Sequence, residues 1–356
     1  MGSLLNVNRY EQEFLKNKSN AVELTTRGRA DTYFARFKED SEELRNQRIA
    51  VTDKGAGKDL VQEYYSISTD LYEYGWGESF HFGILWADSS FEDAIRRYEY
   101  FLALKMKLNK DDVVLDLGCG VGGPMRNIAR FSGAKIIGVN ISEYQVYRTN
   151  LLNGEAGLMN QCRAVTGDFT KLEFDDSSVD GAYAIEATCH TNDKDSVYSE
   201  AFRVLKPGAY FSAWEWVTTD KYDANDPEHQ RVRFNLEKGN GLPETAPWHE
   251  VIASLKRCGF EVIEYFDGCE QGELPWWNSL NSGWSLRGFS RTWFGIRFTG
   301  ALLWALEKVG MVSPGMYEAQ NNLQCGADML VLGGKMGIYS PMFFFLARKP
   351  TTADGS

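Results

Sequence analysis

Hydrophobic and polar positions along this chain follow two different periods, and the change of period marks its organisation. Residues 1–60 are polar and charged, with helical composition over Ala30–Arg48 and a flexible break at Asp53-Lys54-Gly55-Ala56-Gly57-Lys58. The stretch reads as an N-terminal helical arm or lid, with a frayed surface extension as the alternative. Residues 60–110 keep a helical pattern that is interrupted by Leu71-Tyr72-Glu73-Tyr74-Gly75-Trp76-Gly77-Glu78-Ser79-Phe80-His81-Phe82-Gly83. Three glycines among so many aromatic rings fit neither a regular helix nor a strand, so a loop whose rings pack against something is expected.

From Asp112 the pattern becomes alternating apolar runs and amphipathic segments. Val113-Val114-Leu115-Asp116 is a short strand, followed by a glycine turn and a helix through Arg130. Lys135–Asn140, Cys162–Val165, Val179–Glu186 and Ala209–Trp216 read as further strands, with Ser142 capping a helix and Leu205-Lys206-Pro207-Gly208 as a turn. This order predicts an α/β fold, a doubly wound Rossmann-like sheet that is mostly parallel. After residue 220 the pattern loosens. A helix is expected at Val251–Cys258, a strand at Phe260–Tyr265, an aromatic helical region at Arg291–Val309 and a last strand at Pro341–Arg348.

Composition narrows the function classes. The 356 residues are 43% hydrophobic and 13% aromatic, enough for a packed core with rings to spare, and the net charge is -11. That charge argues against a nucleic-acid partner, which needs a basic face. The six cysteines form no CxxC pair and there are four histidines without HExxH, which argues against a structural zinc site. Reduced thiols in an intracellular compartment are expected. No run of about 18 apolar residues occurs, so membrane contact is expected to be peripheral if present.

Candidate chemistry starts at Leu115-Asp116-Leu117-Gly118-Cys119-Gly120-Val121-Gly122-Gly123-Pro124. The glycines let backbone approach a ligand, and Pro124 suits the first turn of a helix. Gly118-x-Gly120-x-x-Gly123 matches the dinucleotide pattern literally, but Asn140 stands where a ribose-binding acid would be. Asp116 is placed to meet a cationic amino-acid group. Asp168-Phe169 can accept from an adenine amino group and stack on its ring. Successive strand ends thus point to S-adenosylmethionine, with Asp116, Gly118, Cys119, Gly120, Gly122, Asn140, Gln145, Asp168, Phe169 and Glu186 as candidate cofactor-binding residues.

Tyr72–Phe82, Gly118–Arg126, Tyr183–His190, Trp214-Glu215-Trp216 with Thr219–Asp223, Gly333-Gly334-Lys335 and Ala347–Pro350 together resemble the sterol 24-C-methyltransferases, in the family's order from about residue 60 to 350. The chain departs from that pattern at Thr191-Asn192, Asn140–Glu143 and Asn240. The resemblance implies methyl transfer from S-adenosylmethionine to carbon 24 of a sterol side chain. It also implies a C-terminal sterol-methyltransferase extension and a homo-oligomer peripheral to the endoplasmic reticulum. Expected boundaries are 1–60 for the arm, 61–285 for the methyltransferase domain and 286–350 for the extension. Another small lipid or prenyl acceptor is the alternative.

Such a reaction leaves positive charge on the acceptor, which aromatic faces stabilise. Tyr72, Tyr74, Trp76, Phe80 and Phe82 are the candidates for that lining, against the reading that they simply pack. A base must then take a proton. Glu73, His81, Glu186, His190 and Glu215 are candidates, with His190 and Glu215 preferred, and the sequence does not decide among the five.

Overall fold

A computed structural model describes residues 69, 72, 73, 76–280, 293–309 and 316–351. The expected arm, its flexible break, Tyr74 and most of Trp277–Arg291 lie outside the described residues. Helix α1 (Phe91–Lys105) begins where Ser90 accepts a hydrogen bond from the Asp93 backbone. The α/β unit follows: β1 (Val113–Leu117), α2 (Gly123–Ser132), β2 (Lys135–Asn140), α3 (Glu143–Glu155), β3 (Cys162–Thr166), β4 (Val179–Ile185), α4 (Lys194–Val204) and β5 (Leu205–Thr218). Then come α5 (Pro227–Gly239), α6 (Trp248–Arg257), β6 (Glu261–Asp267), α7 (Trp293–Lys308), α8 (Met316–Met336) and β7 (Tyr339–Arg348).

One seven-stranded sheet has the order β3-β2-β1-β4-β5-β7-β6. All neighbours are parallel until β7, which runs antiparallel to both β5 and β6. The order reverses between β1 and β4, so the carboxyl ends of those strands open the crevice where such sheets bind ligands. Ser142 caps α3 as expected, accepting from the Gln145 backbone.

The expected turn at Leu205–Gly208 is instead part of β5. Leu205 pairs with Val179, and the next pair is Tyr210 with Gly181, so the intervening residues bulge out of the ladder. Gly208 takes φ +83° there, and its N–H donates to the carbonyl of Lys349, the residue after β7. The neighbouring strand thus keeps the bulge in register.

Two helices were not legible in the sequence pattern. Helix α5 starts at Asp226-Pro227, an N-cap followed by proline at the first helical position. Helix α8 contains glycines that spoil a helical reading but permit close packing. A methyl group at Gly326 would lie 3.0 Å from Gly239, and one at Gly334 would lie 2.4 Å from the Trp277 ring.

The core has two faces. Tyr98, Leu102, Tyr183, Trp214, Trp216, Trp276 and Phe344 fill one, with α1, α5 and α8. Leu115, Tyr198, Phe211, Val217, Phe343 and Phe345 fill the other, with α4 and α6. Successive residues of β5 and β7 therefore alternate between the two sides, as a pleated strand requires.

Candidate active site

The glycine turn forms because its backbone must reverse in little space. Gly118, Gly120 and Gly122 take φ of +85°, +54° and +81°, values that side chains disfavour. A methyl group at Gly118 would come 2.4 Å from Cβ of Ala187, so the loop after β4 lies directly on the turn. That loop is bent by Glu186, a non-glycine residue at φ +53°, the sort of costly backbone that functional sites retain.

Around the turn stand the expected cofactor groups. Asp116 is buried at the end of β1, and the hydroxyl of Tyr183 donates to its Oδ2 at 3.0 Å. Burial pushes the carboxyl up to about 7, although Tyr183 acts against the shift. A buried carboxylate with one donor suits a cationic ligand group. Asn140 donates to Oε1 of Gln145 (2.8 Å) and accepts from the Ser142 N–H, while Gln145 donates to Thr69. Thr149 and Asn140 both donate to the Gly120 carbonyl. Asp168 Oδ1 accepts from the backbone and hydroxyl of Thr170, and the Phe169 ring approaches Gly118. Cys119 differs: its sulfur packs under Gly138, leaving only its backbone to face a ligand.

The aromatic segment is tied down over the turn. The Gly123 N–H donates to the Glu78 carbonyl, and buried Arg126 donates to the Glu78 carboxylate at 2.7 Å. Phe80 lies against Gly120 and packs on Tyr72, ring centroids 5.3 Å apart. Trp76 stands edge-on to Phe82, which also meets Trp276 and Trp216. Tyr72 with Phe80 and Trp76 with Phe82 are therefore two ring pairs that make up the aromatic assembly of this segment.

Glu186 fastens this assembly to the sheet. Its Oε1 accepts from the Phe82 N–H (2.8 Å) and from Tyr98 (3.4 Å), and its Oε2 accepts from Trp216 Nε1 (2.7 Å). Burial raises its carboxyl to about 7 against the attraction of His81 and these donors. With three donors already placed, it ties the loop to the sheet.

The expected bases are scattered. Arg148 holds Glu73 through Nη2 at 2.7 Å and Nε at 3.1 Å. His81 is buried, with Nδ1 2.5 Å from the Phe82 carbonyl and Nε2 3.1 Å from Glu99. Both partners are acceptors, which favours the imidazolium. Burial works against that charge, but Glu99 and Glu186 raise the pKa on balance. His81 also stacks on Tyr98, which stacks on Trp214 at 4.0 Å. Glu215 points to the opposite face of the sheet from Trp214 and Trp216. There it pairs with Lys194 at 3.3 Å and accepts from Thr188 and Tyr198. His190 follows on the loop after β4, with Nδ1 3.3 Å from the Gly241 carbonyl. Burial lowers its pKa to about 4, with Lys194 contributing.

Tyr98 and Glu99 join the site without having been singled out in the sequence, and Tyr183 and Trp216 join it having stood there only within the resembling segments. Only Tyr183 carried a usable signal, since it lies opposite Asp116 once β1 and β4 are paired.

Comparison with known proteins agrees with this architecture. Residues 115–213 match a methyltransferase domain model and residues 286–351 a sterol methyltransferase C-terminal model. The chain is 45% identical over 293 residues to cycloartenol-C-24-methyltransferase 1 of Oryza sativa, covering 82% of this chain and 85% of that one. It is 41% identical over 319 residues to the sterol 24-C-methyltransferase of Saccharomyces cerevisiae, covering 85% and 83%. Among solved structures, the cyclopropane synthase MmaA2 of Mycobacterium tuberculosis superposes with TM-score 0.64 at 15% identity, covering 83% of this chain and all of that one, a likeness of fold.

Proposed function

This chain belongs to the sterol 24-C-methyltransferases, and from that premise we propose how its residues divide the work. It is an S-adenosylmethionine-dependent enzyme that methylates carbon 24 of a sterol side chain. When bound, S-adenosylmethionine supplies an electrophilic methyl on a sulfonium sulfur.

The residues at the strand ends fit that molecule. Asp116 would take the ammonium of its amino-acid part, the positive-φ glycine backbone its close approach, Asn140 and Gln145 the ribose, and Asp168 with Phe169 the adenine. Tyr72, Trp76, Phe80 and Phe82, with Trp216 and Trp276, line the acceptor side and face developing positive charge with ring quadrupoles. Their rings also exclude water, so that a short-lived cation on the sterol is not captured. The observation that carries this division is the loop 76–83, pinned at once to Gly123, Arg126 and Glu186.

Three sequence segments are retained in this reading, 1–60, 61–285 and 286–350, although β7 of the last lies within the common sheet. We also propose peripheral membrane contact, at the endoplasmic reticulum, through α7. Among the described residues no helix is long and apolar enough to cross a membrane. Yet Phe298 is 56% and Trp304 53% exposed, and Lys308 lies over the Trp304 ring at 6.0 Å. Aromatic and cationic side chains side by side suit a lipid interface, where a sterol acceptor resides.

The testing experiment is transfer of labelled methyl from S-adenosylmethionine to sterols of the zymosterol, lanosterol and cycloartenol kinds, with Asp116→Ala as control. Label in a sterol, lost in the control, supports the reading. Tight cofactor binding without label in any sterol would sink the acceptor assignment.

A further inference from the structure

We propose that Tyr339, Thr245 and Glu237 form the proton-accepting end of the acceptor pocket, with the Tyr339 hydroxyl receiving the proton that the methylated side chain loses. This rests on the sterol reading above and names residues that neither the sequence nor the family comparison singles out.

The first observation concerns the buried hydroxyls. Tyr339 is 4% and Thr245 3% exposed, and neither the Tyr339 OH nor Thr245 Oγ1 has a hydrogen bond of good geometry among the described residues. A buried hydroxyl left in that condition costs free energy unless a ligand or a reaction uses it. The Tyr339 ring stands edge-on to Trp216 at 5.7 Å, and Trp216 is the residue that joins Phe82 and Glu186. Tyr339 therefore stands beside the aromatic lining, and Thr245, Cys189 and Glu237 neighbour its hydroxyl.

The second is that the hydroxyls lead to a carboxylate. Glu237 Oε1 accepts from Arg233 Nε at 2.8 Å and from the Thr245 N–H at 2.7 Å, and the Thr245 hydroxyl lies next to the same carboxylate. Burial raises the proton affinity of Glu237, while Arg233 acts against it. Tyr339, Thr245 and Glu237 are thus neighbours, two hydroxyls and a carboxylate that rotation of the unpartnered hydroxyls would join.

The third is that the other candidate bases are engaged. Glu73, Glu186 and Glu215 each accept at both carboxylate oxygens, whereas Arg233 and the Thr245 N–H both donate to Oε1 of Glu237. His81 has both nitrogens against acceptors, and His190, with Nδ1 3.3 Å from the Gly241 carbonyl, is made a weak base by its burial.

A C–H bond next to the cationic carbon breaks, and its electron pair becomes the new carbon–carbon double bond. The proton adds to the Tyr339 oxygen as the phenol proton moves to Thr245 Oγ1 and the Thr245 proton moves to Glu237. Cation and carboxylate become alkene and carboxylic acid. Burial keeps the phenol protonated, so no phenolate stands beside an electrophilic methyl.

The test compares full-length wild type with Tyr339→Phe, Glu237→Gln, Thr245→Val and Thr245→Ser. Readouts are kcat and KM for the sterol, Kd for S-adenosylhomocysteine, and product identity by mass spectrometry. We expect kcat to fall about tenfold or more in Tyr339→Phe, Glu237→Gln and Thr245→Val, with KM and Kd unchanged. A side-chain alcohol from water capture should replace part of the alkene, and Thr245→Ser should restore the wild-type pattern. Wild-type kcat and alkene yield in Tyr339→Phe would overturn the proposal. So would a raised KM at unchanged kcat, which would make Tyr339 a contact for the acceptor's own hydroxyl. If Tyr339→Phe no longer binds S-adenosylhomocysteine, the Thr245 pair decides: equal kcat in Val and Ser overturns the relay. Absence of sterol methylation by the wild type itself would instead remove the sterol reading beneath it.

Discussion

Asp116 and Tyr183 face one another across β1 and β4, and the Tyr183 hydroxyl donates to Asp116 Oδ2 at 3.0 Å. That donor favours the ionised carboxylate, while burial holds the group at about 7. Below that value Asp116 is protonated and loses its attraction for an ammonium. Affinity for S-adenosylmethionine should therefore rise with pH through about 7. In Tyr183→Phe the midpoint should move higher, and affinity at neutral pH should fall about tenfold for one hydrogen bond to a charged group. Calorimetric titrations across the pH range check both.

Glu186 should make the protein less stable as pH rises. Its carboxyl sits at about 7 when folded against an ordinary value of 4.5, chiefly because of burial. Between those values the folded state holds a proton that the unfolded state has released, so stability falls with rising pH through that window. Glu186→Gln removes this titration. Its Tm should vary less than the wild type's over the same window, as read by scanning calorimetry.

Two glycines make a matched test of the turn. Gly118→Ala combines φ +85° with a 2.4 Å approach to Ala187, so cofactor binding should be lost. Gly157, just past the end of α3, has φ +68° with nothing within 4 Å of an added methyl. Gly157→Ala should cost only about 1 kcal/mol of backbone strain and leave cofactor Kd unchanged.

The buried pair on the far face separates structure from catalysis. Lys194→Met leaves Glu215 charged and without its cation, and should cost about 3–5 kcal/mol in chemical denaturation. If Glu215 acted on the substrate instead, Glu215→Gln would lower kcat strongly at intact stability and preserved S-adenosylhomocysteine binding.

Trp304→Glu should weaken sedimentation with phosphatidylcholine vesicles while leaving cofactor Kd unchanged. Unaltered sedimentation would sink the assignment of α7 to the lipid surface.

Most of the α/β unit was legible because its strands are continuous apolar runs and its turns carry glycine or a cap, as at Gly118–Gly122 and Ser142. The cofactor residues followed, since they occupy successive strand ends. Helices α5 and α8 were not legible, because polar residues and glycines that serve helix–helix packing erase the apolar stripe. The side-chain directions at the site were not legible either. Glu215 and Trp216 are adjacent in sequence yet lie on opposite faces. Nothing local shows that Tyr339 meets Thr245, because β7 reaches that place only by inserting beside β5.

That insertion has a consequence for synthesis. Strands β5 and β6 have no ladder with each other; β5 is held by β4 on its other side, and β6 joins the sheet through Tyr339–Arg348. As the chain leaves the ribosome, one edge of the sheet stays open, and β6 has no strand to pair with, until the last ten-residue strand emerges. The contacts that close it are the longest-range in the sheet and so the slowest to form. A chain shortened by even this one strand should stall with apolar edges bare. The nascent enzyme should gain its acceptor pocket only once Tyr339–Arg348 is free to pair, in one late event that also delivers Tyr339.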